Sequence, residues 1–367
     1  MSGRTLSRPE RVAWARLART PRIGPITFHR LIARHRSAAA ALEALPRIAR
    51  AAPLTPPAAD RIERELDVLE RMGARLIAAC EPEYPPLLSV LDAPPPMIAV
   101  AGDARLLTRR AVAMVGAREG SAAGLMLAER IAADLGAADF IIVSGLARGI
   151  DAAAHRGALR TGTVAVLAGG LDRPYPPQNV KLYQEIVERG AVVSEAPLGF
   201  VARARDFPRR NHIISGLSHG VVVIEAALRS GTLITARAAA EQGRDVLAVP
   251  GSPLDPRARG CNALIRSGAT LVESAADIIE ALGESAPRPR PAGPLFADIE
   301  APPPPPGLAQ KIAALLSPTP IHVNDLARLA DAPAGAVAAA LMELELEGSA
   351  ASLPGGYAAA ASASFLS

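Results

Sequence analysis

The sequence predicts an α/β fold whose centre is a parallel sheet with helices on both faces. Six runs of β-branched and aliphatic residues predict the strands: AVAMVG (111–116), FIIVSG (140–145), TVAVLAGG (163–170), AVVS (191–194), GVVVIEA (220–226) and DVLAVPG (245–251). Helical segments are expected between them, at about 121–135, 151–159, 178–189 and 232–242. Continuous apolar strands that alternate with helices are typical of a doubly wound, Rossmann-like sheet with right-handed crossovers.

The head of the chain, residues 1–75, predicts a small basic domain of short helices. It contains 15 Arg against 7 acidic residues. In IGPITFHRLIARH (23–35) a Gly-Pro turn separates two helical segments, and Ile26, Leu31 and Ile32 are expected to face inward. This segment resembles a helix-hairpin-helix or SAM-like unit, whose hairpin amides contact a DNA phosphate. A plain helix junction is the alternative, although the positive charge favours nucleic acid.

Residues 286–306 predict an extended, semi-rigid linker. PRPRPAG and a run of five prolines cannot form helix or sheet ladders. The core is therefore expected to span 76–285, where 21 basic residues nearly balance 22 acidic ones.

The tail, residues 307–367, predicts a winged-helix-like domain. Three helices are expected at about 307–316, 323–330 and 334–347, followed by a turn and short strands. The third helix has no Arg or Lys and contains Glu343, Glu345 and Glu347. A helix that enters a DNA groove needs cations against the phosphates. The tail is therefore expected to bind protein or to pack internally.

Composition excludes several classes of protein. Aromatic residues make up only 3% of the chain, which disfavours single-strand binding by a long row of stacked rings. Cys80 and Cys261 are far apart and lack CxxC spacing, so no disulfide framework or zinc site is expected. The sequence shows no GK[ST] or HExxH motif and no cysteine that a pattern places near a suitable His, so neither a cofactor, a metal nor a catalytic nucleophile is expected. It also lacks a signal-peptide core and a long uncharged apolar run, which predicts a soluble cytoplasmic protein with no membrane partner.

The candidate site is a set of loops at the carboxyl ends of the predicted strands, where doubly wound sheets bind ligands. Backbone amides at helix starts, together with arginines, form sites for anions. The loops are VGAREGSAAG (115–124), SGLARGID (144–151), SGTLITA (230–236) and the segment 203–212. Their candidate anion-binding residues are Arg118, Gly145, Arg148, Gly149, Arg203, Arg205, Arg209, Arg210, Asn211, His212, Ser230 and Gly231. If these loops converge on one edge of the sheet, they predict a phosphate-binding surface without a reactive group.

Three polar residues near these loops admit other roles. Asp151 is expected to cap the helix that it begins, and His155 is more typical of a packing or hydrogen-bonding histidine than of a base. Glu225, at a strand end, is either a catalytic carboxylate or the partner of a nearby Arg, and the sequence favours the partner.

Several ordered motifs resemble the DprA/Smf family of DNA-processing proteins over about residues 80–275. They are SGLARGIDAAAH, AVLAGGLDRPYPPQN, SEAPLG, FPRRNHIISGLS, VVVIEA, SGTLITARAAAEQGRDVLAVPG and GCNALIRSGATLV. The resemblance implies a non-enzymatic homodimer that binds and protects single-stranded DNA during natural transformation and loads the RecA recombinase onto it. It also implies a binding pocket that contains Arg118, Ser144, Gly145, Arg148, Arg209, Arg210 and Asn211, with Phe207 against a base.

The sequence departs from the family pattern at His212, where the family usually has a second basic residue after the Asn. One phosphate contact is then weaker, or Arg203 or Arg205 supplies it. Leu264, Ile265 and Leu271 are candidates for the dimer surface, with core packing as the alternative. Two other functions stay open. One is a nucleotide-processing hydrolase that uses SGT (230–232) and Glu225, and the other is an adaptor that binds proteins through the acidic tail.

Overall fold

The structure, a computed structural model, describes residues 4–48, 54–283, 307–353 and 356–361. The predicted linker at 286–306 lies outside the described residues. Contacts between Cα atoms divide the chain into two compact units. One combines the described parts of Met1–Arg64 and Ala292–Ser367 with Asp92–Pro96, and the other combines Glu65–Leu91 with the described part of Met97–Pro291. The domain boundaries taken from the sequence stay predictions.

The head is helical, as its sequence predicts. Its helices are α1 (Arg8–Ala18), α2 (Pro25–His35), α3 (Ala38–Ile48) and α4 (Ala59–Arg71). Pro25 occupies the first turn of α2, where its missing N–H costs nothing and its fixed φ suits the helix. Leu31 and Ile32 are buried, whereas Ile26 is only half-buried. Trp14 packs edge-on against Phe28, with 5.0 Å between ring centroids, so these aromatic rings contribute to the core of the head.

The core contains a nine-stranded sheet within the described residues. Its strands are β1 (Ala74–Ala78), β2 (Met97–Gly102), β3 (Ala111–Val115), β4 (Ile141–Ser144), β5 (Thr163–Leu167), β6 (Ala191–Ser194), β7 (Gly220–Val223), β8 (Asp245–Ala248) and β9 (Thr270–Leu271). Their order is β1-β2-β6-β5-β4-β3-β7-β8-β9. The strands from β3 to β9 pair in parallel, while β2 pairs antiparallel with both β1 and β6. The sequence predicts β3 to β8 but not the antiparallel edge or β9.

Helices cover both faces of this sheet. They are α5 (Pro86–Ser89), α6 (Ala122–Ala137), α7 (Ile150–Ala158), α8 (Val180–Arg189), α9 (Phe207–Gly216), α10 (Thr232–Glu241), α11 (Arg259–Arg266) and α12 (Ala275–Leu282). Alternate residues of β3 enter different apolar clusters. Val112 and Met114 pack with residues of α6 and α7, whereas Ala113 and Val115 pack with residues of α9 and α10. The predicted doubly wound fold is confirmed, with the antiparallel edge strands added.

The sheet changes direction between β3 and β7. From β3 the chain builds outward through β4, β5 and β6, then returns to place β7 on the other side of β3. Loops that leave neighbouring strands on opposite sides of such a switch point form a crevice at the carboxyl ends of the strands. The loops after β3, β4 and β7 belong to this edge.

The tail has the predicted winged-helix architecture. Its elements are α13 (Leu308–Leu315), β10 (Ile321–His322), α14 (Val323–Ala330), α15 (Ala334–Leu346), β11 (Ala350–Leu353) and β12 (Tyr357–Ala360). The strands form an antiparallel sheet in the order β10-β12-β11. Among all the helices of the described ranges, none combines the length and apolar character that a membrane span needs.

Candidate nucleic-acid interface

The loops after β3 and β4 are in direct contact. Gly149 has φ +76°, and a Cβ there would lie 2.6 Å from the carbonyl oxygen of Arg118, so the contact requires glycine. The amide of Ile150 donates to the carbonyl of Ala117 at 3.1 Å. These contacts bring Arg118 and Arg148 onto adjacent loops, and both side chains are exposed. No carboxylate lies within ion-pair distance of either guanidinium in the part of the chain that the structure describes.

The side chain of Asp151 stabilises the loop after β4 through hydrogen bonds to its backbone. Its buried carboxylate accepts from the amides of Gly145 at 3.2 Å and Ala147 at 3.3 Å. Gly149, not Asp151, is the N-cap of α7, so the expected capping role is wrong. Burial raises the pKa of Asp151, and the positive charge of Arg210 opposes that shift. The amide of Gly145 is already bonded within the protein and is not a donor for an external anion.

Arg210 is buried beneath the same loop. Its Nη1 donates to the carbonyl of Gly145 and, at 2.7 Å, to the carbonyl of Val166. A Cβ on Gly145 would lie 2.7 Å from the guanidinium carbon, so the guanidinium packs directly against the loop backbone. Burial lowers the pKa of Arg210 to about 10, which still leaves it charged at neutral pH. Arg210 therefore supports the loop and adds positive charge from below, instead of presenting its guanidinium to solvent as the sequence suggests.

Aromatic rings lie beside these arginines. The guanidinium carbons of Arg118 and Arg210 lie 5.6 Å and 5.5 Å from the centroid of the Phe207 ring. The ring of Tyr175 meets Phe207 edge-on, with 6.1 Å between centroids. Tyr175 is 57% exposed. Segments far apart in sequence thus converge, and they combine exposed cations with accessible aromatic surface.

The remaining arginines of 203–212 are not equivalent. Arg203 and Arg205 are exposed and have no ion pair among the described residues. Arg209 is instead engaged by Glu195, directly after β6, through a bidentate ion pair that includes Nε to Oε2 at 2.6 Å. The ion pair with Glu195 neutralises much of the positive charge of Arg209. Arg209 is therefore not an independent anion-binding residue, as the sequence suggests it to be.

The next two residues of α9 also have partners inside the protein. The Oδ1 of Asn211 accepts from the Nε of Arg210 at 3.2 Å. His212 Nδ1 lies 2.8 Å from Nε2 of Gln242, which directly follows α10. A residue at position 212 therefore packs between α9 and α10, which corrects its expected place among the anion-binding groups.

Two serines predicted near the site stabilise the sheet edge. Ser144 is buried, and its hydroxyl donates to the carbonyl of Met114 at 2.6 Å, so it is not directed to solvent. Ser230 Oγ donates to Thr232 Oγ1 at 2.9 Å, and Thr232 Oγ1 donates to the carbonyl of Gly116 at 3.1 Å. Gly231 is exposed, with open space around its Cα. The loop before α10 is thereby tied to the end of β3.

Glu225 organises the start of α6. Its Oε2 accepts from the amide of Ser121 at 2.9 Å, and its Oε1 accepts from the Ser121 hydroxyl. A Cβ on Gly124 would lie 2.6 Å from the carboxyl carbon. The partner of Glu225 is therefore Ser121 and not an arginine, which corrects the interpretation favoured by the sequence. Among the described residues, no three His, Cys, Asp or Glu side chains gather as a metal-ligand set.

His155 is a buried structural histidine. Its Nδ1 lies 2.7 Å from Thr163 Oγ1, and that hydroxyl donates to the carbonyl of Ile142. The hydroxyl proton is thus committed, so Nδ1 must donate and the ring is the neutral Nδ1–H tautomer. Burial, followed by the charges of Arg210 and Arg156, lowers the pKa of His155 to about 3.

Sequence reasoning missed two residues of PYPPQN (174–179). Tyr175 supplies the exposed ring described above, and Asn179 Nδ2 donates to the carbonyls of Leu146 at 2.9 Å and Ala147 at 3.1 Å. The motif is visible in the sequence, but its contact with the loop after β4 depends on the packing of the chain after β5.

Three family models match this chain, one for each of its helical head, α/β core and winged-helix tail. The model described as DNA recombination-mediator protein A matches residues 75–283, that of the DprA-like N-terminal HHH domain matches 8–68, and that of the DprA winged helix domain matches 297–356. The chain belongs to the DNA recombination-mediator protein A family. The chain is similar to Protein Smf of Escherichia coli K12, with 39% identity over 305 residues that cover 81% of this chain and 80% of the relative. It is also similar to DNA processing protein DprA of Streptococcus pneumoniae R6, with 44% identity over 198 residues that cover 53% and 70%.

Two solved structures of proteins called DNA processing protein A resemble this fold. DNA processing protein A from Streptococcus pneumoniae has a TM-score of 0.58 at 37% identity, covering 66% of this chain and 81% of that chain. DNA processing protein A from Helicobacter pylori, solved for its single-stranded DNA binding mode, has a TM-score of 0.51 at 29% identity, covering 54% and 92%.

Proposed function

We propose that this chain is a non-catalytic, cytoplasmic protein that binds single-stranded DNA without sequence preference. In this proposal it protects incoming strands and loads RecA recombinase onto them during transformation and recombination. The observation that supports it most is the meeting of Arg118, Phe207 and buried Arg210 beside the loop of Arg148. The relative from Helicobacter pylori was solved for its single-stranded DNA binding mode, which supports the same ligand class.

Phosphate binding follows from positive charge that the protein leaves uncompensated. Arg118 and Arg148 have no carboxylate partner in the described ranges, and Arg203 and Arg205 extend the cationic surface from the start of the FPRRN segment. The amides of Arg148 and Gly149, at the positive end of α7, donate to no acceptor among the described residues. Arginines and helix-start amides that contact only the phosphates of DNA read no base sequence. Such contacts account for a protein that binds single-stranded DNA of any sequence.

Base contacts come from few rings. Phe207 and exposed Tyr175 form an edge-on pair beside Arg118, which suits the stacking of one or two bases. Every base offers a π-face, so stacking also tolerates any sequence. The other bases of the strand then stay available for pairing in a recombinase filament.

We further propose a homodimer formed through the β9 edge of the sheet. Leu271 on β9 is 48% exposed, and β9 is the last strand on that side. Leu264 and Ile265 on α11 are partly buried against the core, so they support this edge rather than form its exposed surface. An exposed apolar edge strand is a ready surface for pairing with a second copy.

The experiment is fluorescence anisotropy with oligothymidine, a mixed-sequence strand and the corresponding duplex, each at several salt concentrations. Affinity for both single strands should be similar and should fall with salt by a logarithmic slope of about −0.7 for each phosphate contact. Arg148→Gln should weaken binding and reduce that slope, whereas Arg130→Gln should leave it unchanged because Arg130 interacts with Asp134 along α6. Affinity that does not change with salt would contradict the proposal.

The second candidate is a hydrolase that acts on nucleotides through Glu225. Both oxygens of that carboxylate are bonded to Ser121, which disfavours a catalytic role. Incubation with a panel of nucleotides, followed by detection of released base or ribose phosphate, separates the two functions. Turnover that disappears in Glu225→Gln would establish the hydrolase instead.

A further inference from the structure

Helix α15 is buried on two faces. One face belongs to the apolar core of the winged helix, with Ala336, Val337, Ala340, Leu341 and Leu344. Met342, Glu345 and Leu346 are also buried, although they lie outside that cluster. Their spacing of three and four residues puts them on one side of the helix. Something other than the core of the tail must therefore cover this second face.

A hydrogen bond identifies the element that covers it. Thr27 Oγ1, on α2 of the head, donates to Glu345 Oε2 at 2.6 Å across a separation of 318 residues. Both residues are buried, with 3% and 7% exposure. Glu345 Oε1 accepts from the amide of Ser352, so the head and the tail each satisfy one oxygen of the same carboxylate. A buried carboxylate without such donors would be costly.

The charges on the two sides are complementary. Arg30 lies one turn beyond Thr27 on α2, and its Nη1 is buried without a hydrogen bond in the described ranges. Burial lowers the pKa of Arg30, and the charge of Glu345 opposes that shift. A Cβ on Gly348, just after α15, would lie 3.7 Å from Nη1 of Arg22. Cations of a head with 15 Arg against 7 acidic residues thus face the acidic end of α15.

We propose that the binding partner of the winged-helix tail is the helical head of the same chain, held through Thr27 and Arg30 of α2 and the Met342–Leu346 face of α15. Apolar burial of Met342 and Leu346 supplies the attraction. The buried Thr27–Glu345 bond supplies the register, because a misaligned contact would leave the carboxylate without a donor. The third helix of this winged helix is therefore covered by protein and is closed to a nucleic-acid groove.

The test uses the full chain with a protease site inserted in the segment 286–306. After cleavage, size-exclusion chromatography measures whether residues 307–367 stay with the rest of the protein. The wild-type tail should be retained, and Thr27→Val, which removes only the donor, should weaken retention on the order of tenfold. Glu345→Gln should also weaken it, while Glu347→Gln is the matched control because Glu347 is exposed and directly follows the same helix.

Hydrogen exchange of the uncut chain supplies the second readout. Amides of 342–348 should be protected in the wild type and in Glu347→Gln, and less protected in Thr27→Val. Protection that persists on dilution supports a contact within one chain. A wild-type tail that elutes alone after cleavage, variants that all retain it equally, or protection that disappears on dilution would each overturn the proposal.

Discussion

Arg118 and Arg209 provide a sharp test of the phosphate-binding surface, because they are identical in type and differ in their partners. Arg118 lies beside Phe207 with no carboxylate partner in the described ranges, whereas Arg209 is held by both oxygens of Glu195. An unpaired guanidinium releases counterions when it meets a phosphate, and a paired one contributes little. Arg118→Gln should therefore weaken binding to single-stranded DNA far more than removal of the Arg209–Glu195 pair.

The magnitude follows from the loss of one charged contact. At about 50 mM salt, Arg118→Gln should lower affinity about tenfold, which corresponds to about 1.4 kcal/mol. Loss of one contact also reduces the logarithmic salt slope by about 0.7. A fourfold rise in salt then narrows the difference by a factor of about 2.6, to about fourfold near 200 mM.

The double variant Glu195→Gln with Arg209→Gln removes a neutral pair and should change affinity less than about twofold. Glu195→Gln alone releases a cation and should tighten binding with a steeper salt slope. Anisotropy titrations at both salt concentrations measure all of these values. A double variant that weakens binding as much as Arg118→Gln would refute the reasoning, since Arg209 would then leave Glu195 to bind DNA.

Two further predictions concern His155 and Tyr175. The folded state does not protonate His155 until about pH 3, whereas the unfolded state does so near pH 6.5. Stability is therefore lost as the pH falls below 6.5, by about 1.4 kcal/mol between pH 7.5 and 5.5 in urea unfolding, and His155→Asn should remove that part of the loss. Tyr175→Ala removes an exposed ring and should weaken binding by about 1–3 kcal/mol in anisotropy titrations, but not binding to an abasic strand.

For each of these two predictions, one outcome would contradict the reasoning. A pH dependence that is identical in the wild type and His155→Asn would mean that the buried ring accepts a proton without unfolding. An equal effect of Tyr175→Ala on normal and abasic strands would mean that the ring supports the loops and contacts no base.

The central strands and their helices could be predicted because each is a continuous apolar run of the right length between turn residues. The segments ARLIA and MIAVAG form β1 and β2, yet they lie among charged residues and prolines, and their antiparallel pairing is a long-range choice. The two-residue β9 is defined only by its pairing with β8. Local pattern specifies elements well when burial on both faces dictates their composition, and poorly at sheet edges.

The convergence of the candidate loops could be predicted for a similar reason. Topology alone directs the loops after β3 and β4 to one edge, so the convergence of Arg118 and Arg148 follows from the order of strands. The sequence does not tell which arginine is exposed. The carbonyls of Gly145 and Val166 enclose Arg210 only because three segments of the chain meet there. No local pattern within FPRRN indicates that meeting.

The hydrogen bond between Thr27 and Glu345 has a consequence for how the protein is made. The ribosome releases α2 long before α15, and the 318 residues between the two partners take about 15–65 s to synthesise. During that interval Thr27 and Arg30 are exposed to solvent on a head that has emerged but lacks its cover. Nascent chains stalled before residue 334 should therefore be cut by proteases in α2 far more readily than the finished protein.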